Sequence, residues 1–108
     1  MIYHLAEQPD WEQAVRSGTY ATSTRGSSID DVGFIHASSA EQWPVVRRNV
    51  YADLTEPLVL LHIDESLLAS PVVDEVGIPE TGELFPHVYG PINVDAVVGT
   101  TVLEPPHA

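Results

Sequence analysis

Histidine stands in three short motifs of this chain: Ile2-Tyr3-His4-Leu5, Gly33-Phe34-Ile35-His36-Ala37-Ser38 and Phe85-Pro86-His87-Val88-Tyr89-Gly90-Pro91. An imidazole can donate, accept or shuttle a proton near neutral pH, so His4, His36 and His87 are the candidate catalytic residues. Strand periodicity places His36 beside Ser38 on one face and His87 beside Tyr89, each an imidazole paired with a hydroxyl. The proline pair and Gly90 hold the backbone around His87, and such rigid polar pairs suit a binding crevice. The competing reading is structural, with three satisfied histidines on half-buried strands. His4 in particular needs only a neighbouring carbonyl to be satisfied.

Two other chemistries compete for the same residues. Three neutral imidazoles can hold a zinc ion and leave a fourth position open, although here each ligand would come from a separate element. A hydrolase would set His36 or His87 beside Ser38, yet no Gly-x-Ser-x-Gly elbow occurs, nor a Gly-rich dinucleotide or phosphate-loop fingerprint. All these readings require the imidazoles to converge.

The elements that must bring them together are mostly strands. Residues 2–5 read as a first strand, and Asp10 with Gln13 predicts the start of a helix whose Trp11, Ala14 and Val15 share a face and which Gly18 ends. Residues 19–32 are rich in small polar side chains and read as a long loop, which Gly26 would let close over a crevice. Gly33–Ala37 reads as a strand, and Ser38 or Ser39 caps a second helix reaching about Tyr51, with Trp43, Val46 and Val50 toward a sheet. Leu58–Ile63 reads as a central strand covered on both faces, with His62 a core histidine. Asp64–Leu68 suggests a helical turn, Val72–Val76 a strand and Gly77–Leu84 an acidic turn. His87–Tyr89 reads as a short strand bracketed by prolines, which favour strand ends and edges, and Val94–Leu103 as a last strand bulged at Gly99. The sum is an α+β domain of five or six strands and two short helices, spanning residues 1–108 with a frayed tail at 104–108 in which His107 has no role.

Composition bounds the function. The 108 residues fit one core and one site, while 9 Pro and 7 Gly favour turns over long helices. Sixteen acidic residues against four arginines (Arg16, Arg25, Arg47 and Arg48) give a net charge of −12, with no lysine. That balance disfavours nucleic-acid backbones and anionic membranes, and leaves a small-molecule nucleotide or metabolite as the expected partner. No cysteine is present, so thiolate chemistry and disulfides are excluded. With no leader-like or membrane-length apolar run, the expectation is a cytoplasmic protein, monomeric or weakly homodimeric.

The order Tyr3-His4-Leu5, Trp11 with Ala14, Gly18-x-Tyr20, Gly33-Phe34-Ile35-His36-x-Ser38, Val59-Leu60-Leu61-x-Ile63-Asp64 and Phe85-Pro86-His87-Val88-Tyr89-Gly90-Pro91-Ile92 resembles the bacterial domain-of-unknown-function family 952 over nearly the whole chain. That family in turn is remotely similar to the ADP-ribosyltransferase fold. The resemblance implies a compact pair of split antiparallel β-sheets with NAD in the crease, bound by Tyr3, His4, Phe34, Ser38 and Tyr89. It implies glycosidic or ADP-ribosyl transfer, with a non-enzymatic metabolite-binding module and a histidine-based metal-dependent hydrolase as the alternatives. Two departures count against the transferase chemistry. No glutamate adjoins His87 or Tyr89 in the sequence, Glu75 and Glu83 being the nearest, and Tyr3 stands where RNA phosphotransferases carry an arginine.

Overall fold

A computed structural model describes residues 1–25 and 27–108 of the chain. In chain order the elements are β1 (Ile2–Glu7), α1 (Gln8–Ser17), β2 (Thr19–Tyr20), β3 (Thr22–Thr24), β4 (Ser27–Ser28), α2 (Ile29–Val32), β5 (Ile35–His36) and α3 (Trp43–Tyr51). There follow β6 (Leu58–Ile63), β7 (Val72–Ile78), β8 (Glu83–Val88), β9 (Ile92–Asn93) and β10 (Val97–Leu103). Single 3-10 turns at Glu65–Leu67 and Val94–Ala96 complete the path.

The apolar run of β6 becomes the middle of a three-stranded antiparallel sheet in the order β1-β6-β10, as a doubly covered strand should. Alternation along these strands sorts the core into two layers. Ile2, Ala6, Val59, Leu61 and Ile63 face Ala14 of α1 together with Tyr20, Ile35, Val88 and Ile92. Leu5, Leu58 and Leu60 face Trp43, Val46, Val50 and Tyr51 of α3. A second antiparallel sheet has the order β5-β8-β7, and two-stranded ladders join β2 to β9 and β3 to β4. Residues Ile35–Ser38 connect the two large sheets: Ile35 and His36 pair with β8, and Ser38 then exchanges both backbone hydrogen bonds with Tyr3 of β1.

Several local expectations hold. Gly18 ends α1 in the left-handed region at φ 89°, its N–H on the Ala14 carbonyl. Ser39 and Gln42 exchange the two hydrogen bonds of a capping box ahead of α3. The register of β10 against β6 shifts between Val97 and Gly99, the expected bulge.

Others are corrected. Among the described residues there are three short helices rather than two, and β2, β3, β4 and α2 stand in place of the one long loop expected over residues 19–32; Gly26, expected to let it close, lies outside the described residues. Helix α1 begins at Gln8 with Pro9 in its first turn and no side-chain cap, so Asp10 lies inside it, and Val15 is exposed. Strand β7 extends to Ile78 and β8 begins at Glu83, which turns the supposed acidic segment into a hairpin tip. Pro86 therefore sits in a central strand. Its carbonyl accepts from Ala37 N–H, so its own nitrogen also faces Ala37, just past the end of β5, and the ladder with β7 on the other side loses no bond. His62 is half-buried rather than core, bonding Thr101 at 2.9 Å. His107 is buried: Arg47 Nε–H donates to its Nδ1 at 2.9 Å and its Nε2–H donates to the Glu56 carbonyl at 2.8 Å, tying the tail to α3. Among the described residues no helix is long and apolar enough to cross a membrane.

Candidate functional site

The joint between the two sheets brings the three motif histidines together. His4 reaches inward from β1, with its Nδ1 2.7 Å from the His36 carbonyl and its Nε2 2.9 Å from the Tyr20 hydroxyl. A carbonyl only accepts, so Nδ1 carries the hydrogen and the Tyr20 O–H donates to Nε2. Burial pushes His4 down to about 4, against the opposing pull of the carbonyl bond, so it is neutral at pH 7. With both nitrogens occupied by protein groups, His4 orients the backbone of His36 and is a structural centre first.

His36 differs. Its ring stands 5.5 Å from that of His87 and 4.9 Å from that of Phe85, and no hydrogen bond reaches its nitrogens among the described residues. Burial, then the neighbouring His87, pushes it down to about 4, leaving a neutral imidazole with one donor and one acceptor unengaged.

His87 is 5 % exposed. Its Nδ1–H donates to Glu75 Oε1 at 2.8 Å, and the Tyr89 hydroxyl donates to the same carboxylate oxygen. These bonds, Tyr89 first, hold the Glu75 carboxyl below its ordinary range. Phe34 stacks on His87 at 4.1 Å with the planes 14° apart, and lies 5.6 Å from Tyr89. The Nε2 of His87 is buried and has no partner among the described residues.

Beside this cluster lies a cavity of about 230 Å³. His36, Ser38, Ser23, Thr24 and Asn49 contribute polar groups, and His4 also reaches it. Leu5, Val46, Val50, Tyr51 and Gly77 form the apolar lining, and among the described residues no lysine, arginine, aspartate or glutamate lines it. Gly77 is needed for close approach: a Cβ there would sit 2.5 Å from Cδ1 of Phe85, the ring against which His36 leans.

The predicted residues therefore divide. His4, His36 and Ser38 line the cavity, while Phe34, His87 and Tyr89 form an adjoining aromatic stack. Tyr3 is a correction. It neighbours His4 in sequence, but strand alternation sends it to the opposite face, where it meets His62 edge-on at 5.2 Å and packs with the α3 layer. Glu75 is the second correction, since it joins both His87 and Tyr89 despite its distance in sequence. In the β7–β8 hairpin Val73 opposes His87 and Glu75 opposes Phe85, so Glu75 is diagonal to His87 on the same face. Pairing residues 72–78 with 83–88 about the Pro79–Gly82 turn is the signal that would have found it. Among the described residues no group of three His, Asp or Glu is placed to hold a metal ion.

Fold and site define an antiparallel α+β protein with a histidine-lined crevice where its two main sheets meet. The model of the family of proteins of unknown function DUF952 matches residues 5–100, and the chain belongs to that family. Two crystal structures of the protein CC0527 from Caulobacter crescentus are similar to it. One, of a double mutant, aligns with a TM-score of 0.80 at 25% identity, and the other with 0.79 at 29%. Each alignment covers 95% of this chain and 85% of that one. No curated protein matches the chain.

Proposed function

We propose that the crevice binds the nicotinamide–ribose portion of NAD or a related nucleotide, in a chain that works as a small-molecule-binding protein with glycosidic or ADP-ribosyl transfer as the activity such a site would support. The observation that carries the reading is His36: a neutral imidazole without a protein partner, facing a cavity beside Ser38. A neutral ring offers a ribose hydroxyl both a donor and an acceptor without repelling a positively charged nicotinamide. The motif resemblance to ADP-ribosyltransferases supports the same ligand.

Size and charge narrow it. At about 230 Å³ the cavity is smaller than the ~300–1,000 Å³ of drug-sized sites, so it suits one ring-sized moiety. No cation lines it, and Arg25, close by, is engaged by Asp53 at 2.7 Å and by the Val50 carbonyl at 2.8 Å. A pyrophosphate would therefore lie outside, contributing little affinity. In the transfer reaction the ribose–nicotinamide bond breaks, its electron pair leaves with the nicotinamide nitrogen, and the oxygen of an acceptor hydroxyl bonds the ribose carbon and gives up its proton to solvent. The chain's part is to hold the ribose hydroxyls at contact distance while positive charge develops.

The test is a titration of labelled protein with nicotinamide riboside, NAD and ADP-ribose, following the histidine ring signals. The reading expects His36 to respond to the first two, with His36→Ala abolishing the response. No change at millimolar ligand defeats it. Release of free nicotinamide from NAD, lost in His36→Ala, would separate enzyme from binding module.

A further inference from the structure

A buried ring nitrogen without a partner is costly, and His87 Nε2 is one, on a side chain that is otherwise carefully held. Glu75 accepts from Nδ1 at 2.8 Å, which in the neutral ring assigns the hydrogen to Nδ1 and leaves Nε2 as a bare lone pair. Tyr89 bonds the same carboxylate oxygen and so fixes Glu75 in place. The Phe34 ring, partly exposed, stacks on the face of His87 at 4.1 Å, and the His36 ring, which lines the cavity, lies 5.5 Å from that of His87.

From this geometry we infer that Glu75 is a positioning residue that presents His87 Nε2 as a hydrogen-bond acceptor to the ligand of the His36 crevice, reached when the rings packed around it shift, and that the pair selects a ligand carboxamide or hydroxyl over a carboxylate at that point. The inference rests on the crevice reading above and adds its selectivity. A carboxamide or hydroxyl hydrogen meets a lone pair backed by a carboxylate, and is attracted. A ligand carboxylate meets the same lone pair and the same negative charge, and is repelled. The protein's charge of −12 acts in the same direction.

The test compares nicotinamide riboside with its carboxylate counterpart, nicotinic acid riboside, on the full chain labelled with nitrogen-15. In the free protein the His87 ring should carry its hydrogen on Nδ1, and Glu75→Ala should abolish that preference while leaving the backbone amide spectrum intact. Nicotinamide riboside should shift both His36 and His87 and bind about tenfold or more tightly than the acid, a difference Glu75→Ala removes. Phe34→Ala should let His87 respond at lower ligand concentration. A wild-type His87 protonated on Nε2 overturns the inference before any ligand is added. A response at His36 without one at His87, or equal affinity for the two ribosides, overturns it and leaves the crevice reading standing. Silence at both rings removes both.

Discussion

The sheet of β1, β6 and β10 and the sheet of β5, β8 and β7 each have three antiparallel strands, and they use them in opposite ways. In the first, every β6 side chain but that of His62 is buried, and the one buried histidine, His4, has both nitrogens bonded within the protein. In the second, β7 has no fully buried residue, Val73, Val76 and Leu84 are exposed, and His87 has one nitrogen bonded and one not. The difference teaches where to look for function. Hydrogen-bonding capacity is consumed where the fold is held together and left over where a ligand could use it. The crevice lies where the two regimes meet, at the Tyr3–Ser38 bridge.

The comparison breaks first on stability. Leu61→Ala, in the centre of the apolar sheet and fully buried, should cost about 4 kcal/mol in urea unfolding. A loss under about 1 kcal/mol would mean that this sheet is not the centre of the core.

Acid should act next. His4, neutral when folded and pushed down to about 4, refuses a proton that the unfolded chain accepts near 6.5. Stability is therefore full above pH 6.5, falls as pH drops from 6.5 toward 4 and levels off below that, by about 3 kcal/mol for His4 alone. His36 adds a loss in the same window. Urea midpoints at pH 7, 5 and 4 should show a steeper decline for the wild type than for His4→Gln; parallel declines would show that His4 is not held neutral.

Tyr20→Phe sharpens the contrast between the two histidines, because it deprives His4 Nε2 of its donor and gives it the same unpartnered state as His87 Nε2. The expected cost is about 2 kcal/mol with the fold retained. An unchanged melting temperature would show that His4 Nε2 does not depend on its Tyr20 partner. The smallest effect belongs to Val76→Thr on the exposed face of the second sheet, which should stay within about 0.5 kcal/mol of wild type. A large loss would show that this face is covered.

Elements with strong local signals were legible in the sequence: the apolar run of β6, the glycine that ends α1, the Ser39–Gln42 cap and the bulge near Gly99. So were His36 and Ser38 as neighbours, because period-two alternation is local. The β3–β4 ladder and the four-residue α2 were not, since each is too short to carry a period. Pro86 misled for a different reason. Proline is excluded from a central strand only when the partner needs its N–H, and which neighbouring strand the Pro86 nitrogen faces is a matter of pairing. The buried His107 looked like part of a polar tail because its partners, Arg47 and Glu56, are distant in sequence.

By itself the sequence determined which residues could do chemistry, which strand is central and how strongly the charge balance disfavours polyanionic partners, because residue type, periodicity and net charge are properties of the chain. Only the tertiary structure decided that Tyr3 faces away from His4, that Glu75 holds His87 and Tyr89, and that His4 is satisfied while His87 Nε2 is not. Those outcomes depend on register, on which strand lies beside which and on what remains unpaired once they meet, and a shift of one residue in any ladder would reverse them.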